Sequence, residues 1–400
     1  MTHDPVTEMS SAQRAAVAAA ADAFGVDLYR RLGANGQDLV FSPASIAAAL
    51  QLALLGARGS TAGQLAAALH LGHPSDPAGA AEEGLRLLSS LIQAANARPD
   101  SSASPGTSAS PDTTLRAPNT LWLQAGLPLE PGFTRPVRDA AAAAVLETDF
   151  RGAPQQARTA INDLIADQTA GKITNLLGRD AVTAATRLVL ANAVYLKARW
   201  AFPFTATATR DAPFHPGDGA DPVQVPTMHR TANLPYRRGD GYQAVLLPYK
   251  NLPLSMAIVL PDGPLAELDM AGGLGSLLTG ADQQSVALAL PKFRQRTRAG
   301  LIPVLRQLGV QDAFTAAADF TGITVAERLQ ISAVVHQAYI DVDEQGTEAA
   351  AATAIGMRAL ALRRGPEPIP VTVDRPFLFA IIDQAAGLPL FLGQVARPGQ

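Results

Sequence analysis

The side chains that could act on a substrate are few, and their spacing does not suit catalysis. The six histidines are His3, His70, His73, His215, His229 and His336. No H-E-x-x-H pair puts two imidazoles on one helical face around zinc, and no cluster has metal-ligand spacing. A serine nucleophile would need G-x-S-x-G at a strand-to-helix turn, and the motif is absent. The stretch AGKIT around Gly171 and Lys172 is only part of a phosphate loop. Ala166 stands where the first glycine belongs, and Ile173 replaces the hydroxyl that would hold magnesium. No G-x-G-x-x-G follows a strand. With no cysteines, a thiolate nucleophile, a thiolate metal site and a disulfide framework are excluded. The expectation is a protein that is not an enzyme and needs no cofactor or metal.

One stretch is chemically unusual instead: VDEQGTEAAAATAIGMRALALRRGPEP, residues 342–368. Alanine favours helix, yet a helix here would have no amphipathic stripe, and Gly356 interrupts it. The segment also carries too little charge for a solvated tail. Proline is missing from Glu344 to Gly365, and then Pro366, Pro368 and Pro370 come together.

The length of the chain by itself suggests two or three domains, and its composition allows a large buried interior. The chain has 400 residues, 48% of them hydrophobic, and a formal net charge of −3 with no long basic run. That composition argues against nucleic-acid and anionic-membrane binding. The N-terminal residues, with Asp4, Glu8 and Arg14, do not read as a secretory signal, and no apolar run approaches the ~18 residues of a membrane span. A soluble chain is expected, cytoplasmic or already processed. Helical spacing predicts helices over 10–34, from Ser42 to Leu55, from Thr61 to Leu71, over 80–97, and at the start of 155–176. Residues 98–114, RPDSSASPGTSASPDTT, form a Ser/Pro-rich surface insertion. Thr186–Trp200 is a continuous apolar run, typical of a doubly buried strand. Beyond it strands predominate, interrupted by a helix expected at Ala299–Leu308. Helices first and strands later suggest an α+β fold around a dominant sheet.

Seven blocks together carry a family resemblance. They are FSPASIAAAL (41–50), LLGARGST (54–61), INDLIADQTAGKITNLL (161–177), LVLANAVYLKARWAFPF (188–204), LPYKNLPLSMAIVLP (247–261), VHQAYIDVDEQGTEAAAATA (335–354) and DRPFLFAIIDQAAGLPLFLGQV (374–395). In this order they resemble the serpins over about residues 10–398. The resemblance implies a single domain with three β-sheets, eight or nine helices and an exposed reactive loop over 344–370. The run GTEAAAATAIGMRAL is similar to the loop of antichymotrypsin-type members.

In that family the loop is bait, and after cleavage it inserts as a new strand into the main sheet. Alternation would give one face Thr347, Ala349, Ala351, Thr353, Ile355 and Met357, and the other Glu348, Ala350, Ala352, Ala354, Gly356 and Arg358. The first face is free of charge and small at its start, so the hinge (Glu344, Gly346, Thr347, Glu348 and Ala349, Ala350, Ala351, Ala352) suits entry between strands. Roughly 14 residues at ~3.3 Å each would carry an attached protease about 45 Å. The family's spacing from Glu344 places the reactive bond at Leu360–Ala361, for chymotrypsin-, subtilisin- or elastase-like targets. Arg358, Arg363 and Arg364 stay open as sites for trypsin-like enzymes, cysteine proteases stay open as targets, and a non-inhibitory member of the family stays open as the other alternative. The resemblance also implies a polar cluster of Ser42, Ser45, Asn192 and His336 below the sheet opening, and a group of Trp200, Lys292 and Glu344 at its top. A monomer is expected, with a serine protease as its covalent partner. No heparin-like cofactor is expected, because the relevant helix over 80–97 carries Glu82 and Glu83 with only Arg86.

Overall fold

The computed structural model describes residues 10–72, 75–96, 114–139, 143–217, 219–347 and 367–399. The first third is mostly helical: α1 (Ser11–Leu32), the short strand β1 (Leu39–Phe41), α2 (Pro43–Gly56), α3 (Gly59–Ala68) and α4 (Pro77–Asn96). A Ser10–Gln13 capping box starts α1, with each side chain bonding the other's backbone N–H. Ser42 caps α2 by accepting from the Ser45 N–H at 3.1 Å, and Pro43 takes the first turn, where no donor is needed. Every residue of α2 is buried. Such a helix belongs in an interior, and α2 touches β-strands of both large sheets as well as α1 and α4.

Next come β2 (Thr114–Arg116), β3 (Asn119–Gln124), α5 (Pro131–Asp139), β4 (Ala143–Thr148), α6 (Pro154–Gln168) and β5 (Leu188–Arg199). The remainder comprises β6 (Arg210–Phe214), β7 (Val223–Gly239), β8 (Tyr242–Pro248), β9 (Leu254–Pro261), α7 (Gly273–Leu278), β10 (Asp282–Pro291), β11 (Phe293–Gly300), α8 (Ile302–Gln307), β12 (Ile331–Val342), β13 (Gly346–Thr347), β14 (Ile369–Thr372), β15 (Phe377–Asp383) and β16 (Pro389–Val395). Eight α-helices thus occur among the described residues, and the fold is α+β.

The strands form two hydrogen-bonded networks among the described residues. The seven-stranded one runs β11-β12-β13-β5-β3-β4, with β2 also on β5. The nine-stranded one runs β1-β16-β15-β9-β8-β7-β10-β14, with β6 also on β7. The second network contains two sheets joined by the 17-residue β7. Thr227–Tyr236 of β7 pair with β10, while Tyr236–Gly239 pair with β8. Three sheets are therefore connected as two. Pro226 and Pro235 had hidden β7 in the sequence, since proline inside a run argues against a paired strand. The helix expected at Ala299–Leu308 is shorter, Ile302–Gln307. Ala299 and Gly300 instead continue β11, opposite His336 and Val335 of β12.

The main core runs from Ala18 to Val395 and includes α2. A second cluster lies on the other face of the seven-stranded sheet, where Ile161 and Ile165 of α6 pack with Trp122, Val189, Ala191, Ala193 and Val335. The connector after α6 is held by Asn162. Its Oδ1 accepts from the Leu177 N–H at 2.8 Å, and its Nδ2 donates to the Leu177 carbonyl at 3.0 Å.

Candidate functional site

The two central strands of the seven-stranded sheet meet directly. β5 and β12 are parallel and paired from Leu188 opposite Ile331 to Tyr195 opposite Tyr339. Above Tyr339 they part, and β13 begins between them: Gly346 pairs with Arg199, and Thr347 with both Ala198 and Val342. A closed seam therefore has a strand already started at its upper end.

Backbone geometry sets that start. The Asp343 N–H donates to the Gly346 carbonyl at 3.0 Å, and Asp343 Oδ1 accepts from the Gln345 and Gly346 N–H groups at 2.8 and 3.1 Å. The result is a tight reversal of the kind Asp favours. Burial raises the Asp343 carboxyl's pKa, against these hydrogen bonds. Gly346 lies so close to β5 that a Cβ would sit 2.0 Å from the Ala198 carbonyl oxygen. Thr347 is fully buried, and its hydroxyl is 2.6 Å from that of Tyr249. Tyr249 stacks on Trp200 with ring centroids 4.7 Å apart. Trp200 donates Nε1–H to the Asp343 carbonyl and its backbone N–H to the Gln345 carbonyl, each at 2.9 Å. Glu344 is gripped from two sides, by Lys292 Nζ at 2.9 Å and the Thr209 hydroxyl at 2.8 Å. Burial pushes the Glu344 carboxyl up, but Lys292 and Thr209 outweigh it and hold the group below the usual glutamate range. The structure thus brings together Trp200, Lys292 and Glu344, which the resemblance had grouped, and adds Tyr249, Thr209 and Asp343.

Lower in the sheet, one register row crosses three strands: Asn119 of β3 opposite Asn192 of β5, and Asn192 opposite His336 of β12. All three point away from α6, toward the first turn of α2. The Ser42 N–H donates to His336 Nε2 at 3.1 Å. Nε2 is therefore the unprotonated nitrogen, and Nδ1–H is left to donate to Asn192 Oδ1. Asn192 Nδ2 then donates to Ser45 Oγ at 2.6 Å and to Asn119 Oδ1, while the Ser45 hydroxyl donates to Asn119 Oδ1 at 2.8 Å. Complete burial pushes the His336 pKa down to about 3, so the imidazole is neutral. Ser42, Ser45, Asn192 and His336 are in one network. Asn119 is the member that sequence reading missed. Its signal was weak: one of three polar residues in NTLWLQ, directly after Pro118.

Glu348, Ala349, Ala350, Ala351, Ala352, Arg358, Leu360, Ala361, Arg363 and Arg364 lie outside the described residues, as do residues 98–113 of the expected insertion. Thr114, its last residue, opens β2. No helix among the described residues is long and apolar enough to cross a membrane.

A family model described as "Serpin (serine protease inhibitor)" matches residues 19–398. This chain belongs to the serpin family. The serpin is 36% identical to an uncharacterized serpin-like protein of Thermococcus kodakarensis, over 98% of this chain and 88% of that one. It is 34% identical to the leukocyte elastase inhibitor of Sus scrofa, over 96% and 99% of the two chains. Among solved structures it is similar to Serpin48 of the insect Tenebrio molitor, with 30% identity, a TM-score of 0.79 and 96% and 98% of the chains covered. It is also similar to human thyroxine-binding globulin complexed with its ligand, with 27% identity, a TM-score of 0.81 and 97% and 100% covered. At the seam, the serpin's described residues hold Gly346–Thr347 as a short strand between β5 and β12.

Proposed function

We propose that this serpin is a suicide inhibitor of serine proteases that traps the acyl-enzyme by loop insertion after cleavage at Leu360–Ala361. The observation that carries the reading is the seam: β5 and β12 are directly paired, with Gly346–Thr347 already seated between their upper ends. A chain released after Thr347 has its first inward side chain in place. Thr347 and then Ala349 and Ala351 keep the inward face small, so the strands need part only slightly at each step. Residues 10–398 would act as one domain, because separation of β5 and β12 must be borne by both faces of the sheet. The stored energy is that of a native fold held short of its lowest minimum.

In this reading, Ser42, Ser45, Asn192 and His336 resist parting of the strands, since their buried hydrogen bonds must be remade. Lys292 and Thr209 restrain Glu344 until the loop is cut. Leu360 suits a hydrophobic primary pocket, and the name of the porcine relative points to an elastase-type target. A second reading, inhibition of trypsin-like enzymes through Arg358, Arg363 or Arg364, is favoured by the density of arginines in the same stretch.

The test is incubation with chymotrypsin, pancreatic elastase, trypsin and papain, followed by denaturing electrophoresis and mass spectrometry of the released C-terminal fragment. A complex that survives boiling in detergent, with a fragment beginning at Ala361, is expected with chymotrypsin or elastase. A fragment beginning after an arginine, from a trypsin complex, moves the reading to the second target class. A papain complex makes the target a cysteine protease. Clean cleavage with every protease, and no complex, overturns inhibition and leaves a non-inhibitory member of the family.

A further inference from the structure

The sheet face that α6 covers continues above the helix, and the register there aligns cations. Arg116 of β2 is opposite Tyr195 of β5, Tyr195 is opposite Tyr339 of β12, and Tyr339 is opposite Arg296 of β11. Directly paired residues share a face. Val335, four residues before Tyr339 and so on the same side, packs in the cluster beneath α6. Alternation puts Lys197 of β5 and Arg294 and Arg298 of β11 on this side too. Arg116, Arg294, Arg296 and Arg298 are exposed, although Arg298 donates its Nε–H to the Leu176 carbonyl at 2.8 Å, and Lys197 is half-buried. The Tyr339 ring is approached by Arg296 at 5.3 Å and by Lys172 at 5.5 Å from its centroid. One carboxylate of these rows, Asp341, meets Arg294 at 2.7 Å. Arg116, Lys197 and Arg296 make no ion pair among the described residues, although the whole chain has a net charge of −3.

We propose that this face docks an extended acidic segment of a partner protein, with carboxylates at alternate positions, and that the site is whole only while β5 and β12 are adjacent. Arg294, Arg296 and Arg298 recur every second residue, about 6.8 Å apart along the strand. An extended chain presents same-side carboxylates at that same period, and the guanidinium fork matches a carboxylate with two hydrogen bonds. A segment lying along β12 on this face has the β11 arginines on one side and Lys197 and Arg116, toward β5, on the other.

The dependence on the seam rests on the insertion reading above. Arg116 and Lys197 belong to the β5 side, and the three β11 arginines to the β12 side. One inserted strand would move β5 from about 4.8 Å to about 9.6 Å from β12. A segment that spans both sides therefore binds the closed sheet more tightly and, by linkage, favours closure.

The experiment uses the uncleaved protein and a labelled Glu-Thr alternating octapeptide at low salt, beside a block peptide of the same composition and heparin. The alternating peptide is expected to bind best, with affinity falling about tenfold in Arg296→Ser/Arg298→Ser and unchanged in the charge-matched Arg135→Ser/Arg138→Ser on α5. No binding, or equal binding of all three probes, overturns the site and leaves arginines that only guard a sheet edge. Loop-cleaved protein with a raised melting temperature is expected to bind several-fold more weakly, and equal affinity there overturns the dependence on the seam. If cleavage does not raise the melting temperature, insertion itself has failed, and the docking site stands or falls on the uncleaved protein alone.

Discussion

His336 links one proton to the whole sheet. Its folded pKa of about 3 lies below the roughly 6.5 of an unfolded imidazole. Between those values the unfolded chain takes up a proton that the folded chain excludes. This contribution is absent above about pH 6.5, and stability is lost as pH falls toward about 3, at ~1.4 kcal/mol per unit. Asp343 has a raised pKa and works in the opposite sense, so the readout is a difference. The unfolding free energy of the wild type in urea should fall by about 2 kcal/mol more than that of His336→Gln between pH 6.5 and 4.5. Parallel pH profiles would show that the imidazole is solvated or already charged. At the hinge, Thr347→Arg would place a cation where Tyr249 and the strand edges leave no room. The protein is expected to become a substrate, its stoichiometry of inhibition rising many-fold; an unchanged value would rule insertion out. Gly346→Ala meets the Ala198 carbonyl. A loss of roughly 1–3 kcal/mol is expected in thermal unfolding, with Thr347 expelled from the seam.

The two sides of the seven-stranded sheet are built differently. α2 lies behind it as an apolar rod whose first turn joins the polar network, whereas α6 covers the front through two isoleucines and a hydrogen-bonded connector. Asn162 makes that connector behave as a neighbouring strand would, pairing with both backbone groups of Leu177. Asn162→Leu keeps the volume but leaves the buried Leu177 N–H without a partner, while the carbonyl keeps the Arg158 guanidinium at 3.4 Å, an expected cost of about 1–3 kcal/mol. Hydrogen exchange at the Leu177 amide should accelerate, and unaltered protection would mean that apolar packing alone holds the connector. β7 is a different kind of element, a single strand long enough to serve two sheets, with proline at Pro226 and Pro235 along its length. Its pairing with β10 along one part and with β8 along the other ties the two sheets together.

For the molecule as a whole, the expectation is a fold that gains stability when it is cut. A new strand between β5 and β12 would add roughly a dozen ladder hydrogen bonds at about 1 kcal/mol each. In a protein of 400 residues, a gain on the order of 10 kcal/mol corresponds to a melting temperature roughly 10–15 °C higher. Calorimetry before and after limited proteolysis in the loop measures this directly, and a melting temperature that stays put would deny that the native state is a kinetic trap.

Sequence alone determined the α+β class and the positions of α1, α2, α4, β5, β9 and β12, because apolar periodicity and continuous runs are local properties, and seven motif blocks in order carried the family resemblance. The family resemblance also supplied Ser42, Ser45, Asn192 and His336 as one group and Trp200, Lys292 and Glu344 as another. Only the tertiary structure placed Asn119 beside Asn192, Tyr249 under Thr347 and Thr209 against Glu344, since these partners lie far apart in the chain and their residue types announce nothing by themselves. It alone decided that β11 runs through Ala299 and Gly300, where pairing with β12 prevails over the helical pattern. And it alone aligned Arg116, Lys197 and Arg296 on one face, because cross-strand register depends on which strands are neighbours, and strand order is a property of the assembled sheet.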